Sequence, residues 1–441
     1  MIRKLKILAF ILLLWSFMGT ISYAQANEDL TVYTIKKDYV KAKYEPDEGI
    51  YLGAYVLQDK KIDYSMSNFN AITGKKHASF FKYVGYGRPF PTEWVNQCKA
   101  VGAIPHIAWE PNNGLDQVKD DEYLRNFARE ANKANVPIFL RFASEMNGTW
   151  TEYSGNPSLY IKKWRLVHDV MEQEAPKVIM VWTVFTFPDN TIESFYPGDG
   201  YVDWVGVNIY NVVYHNNSLR ERADHEDPLK LLDFVYNTYS YKKPIQISEY
   251  GATHYTITDD AYHVDFARRK IQRMYENIPR KYPRVKSIFY FDVNNLSNAL
   301  PGRKINDYSI TNDPTILKCY SDCIQQPDYL SDIKEDNGNH VDKELLSYRG
   351  YVFCQNGKSY ADIDFFKNYL SLKVISYKNG KLTLSNGKVQ ATFSVKYKNI
   401  YKGYYNSWKR VRGISIREVA NAFGYMIKYD PKNNSVFVYA E

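Results

Sequence analysis

Two glutamates sit in near-equivalent settings. Glu145 follows a short apolar run in RFASEMNGTW (residues 141–150), and Glu249 follows another in IQISEYGA (residues 245–252). A pair of carboxylates facing each other across a pocket is what cleavage of a glycosidic bond requires. One stays protonated to donate to the leaving oxygen, and the other attacks the anomeric carbon or activates water. At a separation of ~5–5.5 Å the second becomes a nucleophile and the reaction retains configuration. Trp109, Trp150, Trp182 and Tyr210 follow neighbouring apolar runs, and flat rings suit the CH face of a pyranose. Other chemistries have no foothold. The eight histidines (His77, His106, His168, His215, His225, His254, His263 and His340) are scattered, with no H-E-x-x-H or paired Cys/His spacing, so no metal site is expected. G-x-S-x-G is absent as well, and no cofactor is implied.

The elements that must position these residues form an eightfold alternation. Apolar, β-rich runs begin near Ile50 (IYLGAYV), Phe80 (FFKYV), Ala103 (AIPHIAW), Pro137 (PIFLRF), Val178 (VIMVWTV), Val202 (VDWVGVNIY), Pro244 (PIQIS) and Ser287 (SIFYF). Each interval is long enough for a crossover helix. Between the third and fourth runs, Tyr123, Leu124, Phe127, Ala131 and Ala134 recur at helical spacing, as do Tyr160, Ile161, Trp164, Val167 and Met171 between the fourth and fifth. Eight such units predict an α/β fold, a (β/α)8 TIM barrel. The alternative, an open doubly wound sheet, lacks any G-x-G-x-x-G turn after a strand. Barrel chemistry belongs at the C-terminal strand ends. Strands four and seven lie on opposite sides of the mouth, so Glu145 and Glu249 are expected to face each other.

The motifs R-x-x-x-E-M-N-G-x-W (Arg141 to Trp150), I-S-E-Y-G (Ile247 to Gly251), W-E-P (Trp109-Glu110-Pro111) and YPGDGYVDWVGVNIYN (Tyr196 to Asn211) resemble those of glycoside hydrolase family 26. The likeness spans residues 40–330. It implies a retaining β-glycanase, chiefly a β-1,4-mannanase, with Glu145 as acid/base and Glu249 as nucleophile. It further implies that Tyr210 hydrogen-bonds the nucleophile and Trp150 lines a sugar subsite. Trp109, Glu110, Arg141, Ser144, Asn147, Trp182 and Phe291 complete the expected substrate-binding set. Two positions depart from the family pattern. Ser144 stands where a His usually precedes the acid/base, and strand eight offers Tyr290-Phe291 in place of a Trp platform. A serine is shorter than a histidine and never cationic, so its reach to a sugar hydroxyl differs. Two alternatives follow: an enzyme for another β-glycan (xylan, mixed-linkage glucan or envelope polysaccharide), or a non-catalytic, wall-associated glycan-binding barrel.

The flanking segments carry their own signals. Arg3, Lys4 and Lys6 precede an apolar run from Ile7 to Met18, and Ala24-Gln25-Ala26 supplies small cleavage residues. Residues 1–26 therefore read as a secretory signal peptide, and the protein as secreted and cell-wall associated. No later run is long enough to span a membrane. A mean hydropathy of -0.48 and 45% hydrophobic residues exclude a multi-span membrane protein and a fully disordered chain. Residues 331–346 (SDIKEDNGNHVDKE within them) read as a linker. Residues 347–441 form a basic accessory domain, with 16 basic against 5 acidic residues, whereas the body without residues 1–26 is acidic. Ile363, Phe366, Leu370 and Val374 recur as Ile416, Val419, Phe423 and Ile427 at an offset of 53, an internal pseudo-repeat of helix and strand. The stretch Trp408 to Tyr439 resembles the stalk-like N-terminal domain of copper amine oxidases. Residues 347–441 contain no His, so no copper is implied. Basic and aromatic residues crowd together there (Lys396, Lys398, Lys402, Lys409, Arg410 and Arg412 with Tyr397, Tyr401, Tyr404, Tyr405 and Trp408), which suits either affinity for an anionic cell-envelope polymer or a solvated basic surface on a spacer domain. No basic groove for nucleic acid is present. Cys98, Cys319, Cys323 and Cys354 are too few for a disulfide framework. Cys319 and Cys323, at i and i+4 of an expected helix, leave the question of a bridge open.

Overall fold

The computed structural model describes residues 29–334, 340–405 and 407–439; the segment read as a signal peptide, residues 1–26, lies outside the described residues. Eight parallel strands are hydrogen-bonded in chain order: Ile50–Tyr55, Ser79–Gly85, Ile104–Glu110, Ile138–Phe142, Val178–Phe185, Trp204–Asn211, Ile245–Ala252 and Val285–Phe291. The eighth closes on the first, with Ser287 opposite Tyr51 and Phe291 opposite Tyr55. Helices including Glu122–Lys133, Pro157–Glu174, Pro228–Tyr239 and Val264–Tyr275 cover the outside, completing the (β/α)8 barrel. Their starts are encoded locally. Asp121 accepts from the Leu124 N–H, Asp227 accepts from the Leu229 N–H, and Pro157 and Pro228 stand where a missing N–H costs nothing. Among the described residues no helix is long and apolar enough to cross a membrane.

Strand periodicity divides the core into two layers. Phe81, Phe139, Ile179, Val181, Trp204 and Phe289 fill the barrel interior. Their strand neighbours, such as Leu140, Met180 and Val207, pack outward against the helices. The seventh strand breaks this rhythm. Val207 pairs with Ile247 but Asn208 pairs with Glu249, so Ser248 is an extra, bulged residue. The bulge turns Ser248 and Glu249 to the same side: the Ser248 hydroxyl meets Thr183 Oγ1 at 3.1 Å inside the barrel, and Glu249 faces the mouth. Gly206 makes room for this. A Cβ there would lie 2.2 Å from Thr183 Oγ1 and 2.4 Å from Ser248 Oγ.

The C-terminal region is not joined through a simple linker. The stretch 331–346 includes the start of a strand, His340–Tyr348, which runs antiparallel to Thr31–Val40. That N-terminal strand also pairs in parallel with Ser435–Tyr439, in a sheet completed by Met426–Asp430. The first described strand is therefore built into a sheet with strands from the C-terminal region. Two further sheets follow: Val352–Gln355, Lys358–Asp362, Trp408–Ser415 and Lys396–Tyr401; and Lys373–Lys378, Lys381–Ser385 and Gln390–Ser394. In the repeated unit Val419 and Phe423 lie buried on an α-helix, Ile416–Phe423. Phe366, the counterpart of Val419, lies in a five-residue π-helical turn, Phe365–Tyr369, which buries three aromatic rings, and Leu370, the counterpart of Phe423, follows it. All four cysteines are free thiols; Cys319 and Cys323 lie one turn apart on the helix Pro314–Ile324.

A buried ionic cluster ties the N-terminal strand, the barrel and the strand His340–Tyr348 together. The Arg284 guanidinium contacts Glu45 and the Tyr39 hydroxyl, and reaches Glu344 at 2.8 Å. Arg284 and Glu45 are fully buried. Removing the cation leaves Glu45 buried without its ion-pair partner, while Glu344 keeps only Lys286 at 3.8 Å. Arg284→Ala is expected to lower stability by about 3–5 kcal/mol, measured by urea unfolding.

Candidate active site

The chain turns sharply after the fourth strand, and this turn presents Glu145. Ala143 and Glu145 both adopt left-handed backbone angles, φ 47° and 60°, a strained conformation for residues with side chains that persists only where surrounding bonds enforce it. Those bonds are present. Ala143 N–H donates to the Trp109 carbonyl at 3.0 Å, and Glu145 N–H to the Thr183 carbonyl at 3.0 Å. Between them, Ser144 donates its N–H (3.1 Å) and its hydroxyl (2.9 Å) to the Glu110 carboxylate, which also accepts from the Tyr153 hydroxyl at 2.6 Å. Burial raises the Glu110 carboxyl above its ordinary range, while Arg141 and these donors pull it back.

The Glu145 carboxyl is held at both oxygens. Asn208 Nδ2 donates to Oε1 at 2.7 Å and Trp150 Nε1 to Oε2 at 2.8 Å. Burial, and next the charge of Glu249, push its pKa up to about 7. A carboxyl poised there is divided between its acid and base forms near neutral pH, which is the property of a general acid that later serves as base.

Glu249 is differently surrounded. Arg141 forms a buried ion pair with it at 2.5 Å, Tyr83 donates to the same oxygen at 2.6 Å, and the Tyr210 hydroxyl donates to the other. Arg141 lies beneath, with its Nη1 on Asn208 Oδ1 at 3.3 Å and its guanidinium over the rings of Phe81 and Tyr83. Asn208 thus bridges the two halves of the site, accepting from the cation that pairs Glu249 and donating to Glu145. Two carboxyls with opposed environments, one with its pKa raised and one ion-paired, are equipped for acid catalysis and for nucleophilic attack. Phe291 stacks on Tyr55 (5.5 Å, 17°) and meets Tyr210 edge-on, forming the inner wall. Trp150, 41% exposed, stands at the rim against Phe185.

Several residues expected in the substrate set are engaged elsewhere. Trp109 is fully buried on the helix side of its strand, stacked on Phe127 at 4.0 Å and on Tyr86 at 4.7 Å. Trp182 is likewise buried against Tyr196 and Tyr239. Both occupy strand positions of outward parity, so neither ring can reach a substrate in the mouth. Asn147 spends its amide on the loop after strand five, donating to the Phe185 and Pro188 carbonyls and accepting from the Phe185 N–H. Ser144 supports the turn through Glu110, leaving its hydroxyl no free reach toward a sugar. Conversely, Asn208 and Tyr83 are site residues that sequence reasoning did not single out. Both carry a signal: each is the polar member of an inward-facing i, i+2 series (Gly206, Asn208, Tyr210; Phe81, Tyr83). Among the described residues no three His, Cys, Asp or Glu converge as a metal site would need.

A closed (β/α)8 barrel with a carboxyl pair at the ends of its fourth and seventh strands defines the class: a barrel glycoside hydrolase. Residues 104–279, spanning strands three to seven and both glutamates, match Glycosyl hydrolase family 26. The chain is 25% identical over 244 residues to Beta-1,3-xylanase TXYA of a Vibrio species, covering 51% of this chain and 50% of that protein. It is 24% identical over 301 residues to Endoglucanase H of Acetivibrio thermocellus, covering 63% and 31%. The chain thus spans about half or less of the length of these relatives. Among solved structures, a modular endo-β-1,4-mannanase from Cellulomonas fimi is similar at 13% identity and a TM-score of 0.49, covering 85% of this chain and 94% of that one.

Proposed function

We propose that the protein is a secreted, retaining endo-β-glycanase that cleaves a β-linked polysaccharide by double displacement. The observation that carries this reading is the contrast between Glu145, raised to about 7, and Glu249, ion-paired to Arg141 and held by two tyrosines. In the first step Glu249 attacks the anomeric carbon while the Glu145 proton passes to the departing glycosidic oxygen. In the second, Glu145 takes a proton from water, which displaces Glu249 and releases the sugar with its configuration kept. A β-1,4-mannan is the substrate implied by the motif resemblance, whereas the similarity to β-1,3-xylanases and an endoglucanase keeps xylan and glucan within reach. A hydrolysis panel on β-1,4-mannan, β-1,3-xylan, mixed-linkage glucan and the producer's own polysaccharides tests the reading, with the anomer of the first product followed by NMR. Absence of hydrolysis on all of them would overturn it in favour of a non-catalytic glycan-binding barrel.

The basic C-terminal region, which carries the stalk-domain likeness, belongs to the same proposal as an anchor to an anionic envelope polymer. Lys396, Lys398, Arg410 and Arg412 remain exposed on the paired strands Lys396–Tyr401 and Trp408–Ser415, with Arg410 lying over the Tyr397 ring. Lys402 is withdrawn from that face by an ion pair with Asp189. Screening shortens from ~10 Å at 0.1 M salt to ~3 Å at 1 M. The full chain is expected to sediment with envelope material at low salt and to release across that range. Retention that ignores salt removes the electrostatic anchor.

A further inference from the structure

The segment Lys402–Tyr405 of the C-terminal region leaves its own sheets and lies against the mouth of the barrel. Four contacts pin it there. Lys402 pairs with Asp189, in the loop after strand five. Tyr405 N–H donates to Glu226 Oε1 at 2.9 Å, and the same oxygen meets His215 Nε2 at 2.9 Å, both in the loop after strand six. Asn216 Nδ2 donates to the Tyr405 hydroxyl at 2.9 Å. Gly403, at φ 88°, lies so close to the helix Pro228–Tyr239 that a Cβ would stand 2.6 Å from Lys230 Cβ.

The pinned segment continues the aromatic lining of the active site. From Trp150, which donates to Glu145, ring contacts run to Phe185 at 5.2 Å, then to Tyr404 at 6.5 Å and to Tyr405 at 4.7 Å. Phe187 stacks on Tyr404 at 4.7 Å and 26°, and His215 backs Tyr405 at 4.1 Å. Tyr404 is thus wedged, whereas Tyr405 is 40% exposed with one face covered by His215 and its hydroxyl tied to Asn216. A large ring that is half open to solvent yet held in one orientation loses little freedom on binding, which is what a stacking platform needs. Burial raises the Tyr404 phenol, followed by the charges of Tyr405 and Glu226, with Glu145 a smaller contributor.

We infer that Tyr405, braced by Tyr404, is a sugar-stacking subsite on the Glu145 side of the cleft, contributed by the C-terminal region rather than by the barrel. Its ligand is a further pyranose unit of the same β-glycan chain, bound beyond the unit at Trp150. The inference rests on the functional reading above and deepens it. It makes the C-terminal region part of the substrate cleft as well as an attachment surface, and it predicts a preference for chains long enough to reach the ring.

Point variants in the full chain test it. The probes are the soluble β-glycan of the panel that the wild type cleaves fastest and the 4-nitrophenyl glycoside of its disaccharide. Tyr405→Ala is expected to lower kcat/KM on the polymer about tenfold more than on the aryl disaccharide, chiefly through KM, because only the polymer reaches the platform. Tyr405→Phe keeps the ring and is expected to restore most of the polymer activity. Thermal unfolding of both variants checks that the segment stays docked. An equal effect on both substrates, or Tyr405→Phe as poor as Tyr405→Ala, overturns the subsite while leaving the hydrolase reading intact. Wild-type inactivity on every glycan removes both.

Discussion

Glu249→Ala abolishes turnover of every substrate that the wild type cleaves, by an expected factor on the order of 10⁴ or more. No other carboxyl near the anomeric position can take its place. Glu145 is directed by Asn208 and Trp150 to the opposite side of the cleft, and Glu110 is consumed beneath the turn by Ser144 and Tyr153. The substitution also removes the ion-pair partner of a fully buried guanidinium, leaving Arg141 with its hydrogen bond to Asn208, ring faces and the more distant charge of Glu110. Stability therefore falls together with activity, by about 3–5 kcal/mol. Glu249→Gln separates the two effects, since an amide of the same shape keeps a hydrogen-bond acceptor for Arg141 but is a very poor nucleophile. Steady-state kinetics on an activated aryl glycoside, alongside denaturation of each variant, provides the check. Near-normal hydrolysis by Glu249→Gln would refute a nucleophilic role. Added azide offers a second readout, because a small anion entering the space vacated in Glu249→Ala would yield a glycosyl azide of inverted configuration.

The parts of this molecule written in local sequence were readable, and the parts written in pairing were not. Each barrel strand is a short apolar run, and every run identified coincides with an observed strand to within a few residues. The helices announce themselves by spacing and by caps such as Asp121. The errors in the site came from parity. Trp109 and Glu110 are adjacent on one strand, so if the carboxylate faces the mouth the indole must face the helices. That constraint was present in the sequence, and it removes Trp109 from the substrate set. The same reasoning sends Trp182 outward once Val181 and Thr183 face in. The bulge at Ser248 is harder to foresee, because it shows only as a skipped partner between two strands. Insertion of Thr31–Val40 between strands from the far end of the chain is invisible to any local reading. Nothing in TVYTIKKDYV states that Val32 will stand between Tyr348 and Val436. For the same reason, nothing local in the basic aromatic cluster states that Lys402 and Tyr404 are folded onto the barrel.

Glu145→Ala is expected to discriminate between leaving groups. A natural glycosidic oxygen departs as a poor leaving group unless protonated, so its cleavage should fall about 10²–10⁴-fold. A nitrophenolate leaves unaided, so bond cleavage for the aryl glycoside should change little and breakdown of the glycosyl-enzyme becomes limiting. The pH dependence follows from the same carboxyl. Glu145 donates only while protonated, and its pKa of about 7 places the alkaline limb of kcat/KM near neutrality. Part of that elevation comes from the charge on Glu249. In the proposed double displacement, esterification of Glu249 by the sugar would remove that charge, lower the Glu145 pKa and ready the residue to take the proton from water. Glu249→Gln mimics the loss, and a carboxyl-resolved NMR titration of that variant should find Glu145 titrating below about 7. The same elevation sets the sign of a stability effect. The folded state binds the Glu145 proton more tightly than the unfolded chain does. The stability this contributes is therefore present below the unfolded value and lost as pH rises from about 4.5 to about 7. Glu145→Gln should accordingly gain on the order of 1–2 kcal/mol at pH 8 relative to pH 4, discounted for the partial exposure of the side chain. A variant whose stability relative to wild type is the same at both pH values would show that the Glu145 carboxyl is not elevated, and the acid/base assignment would lose its physical basis.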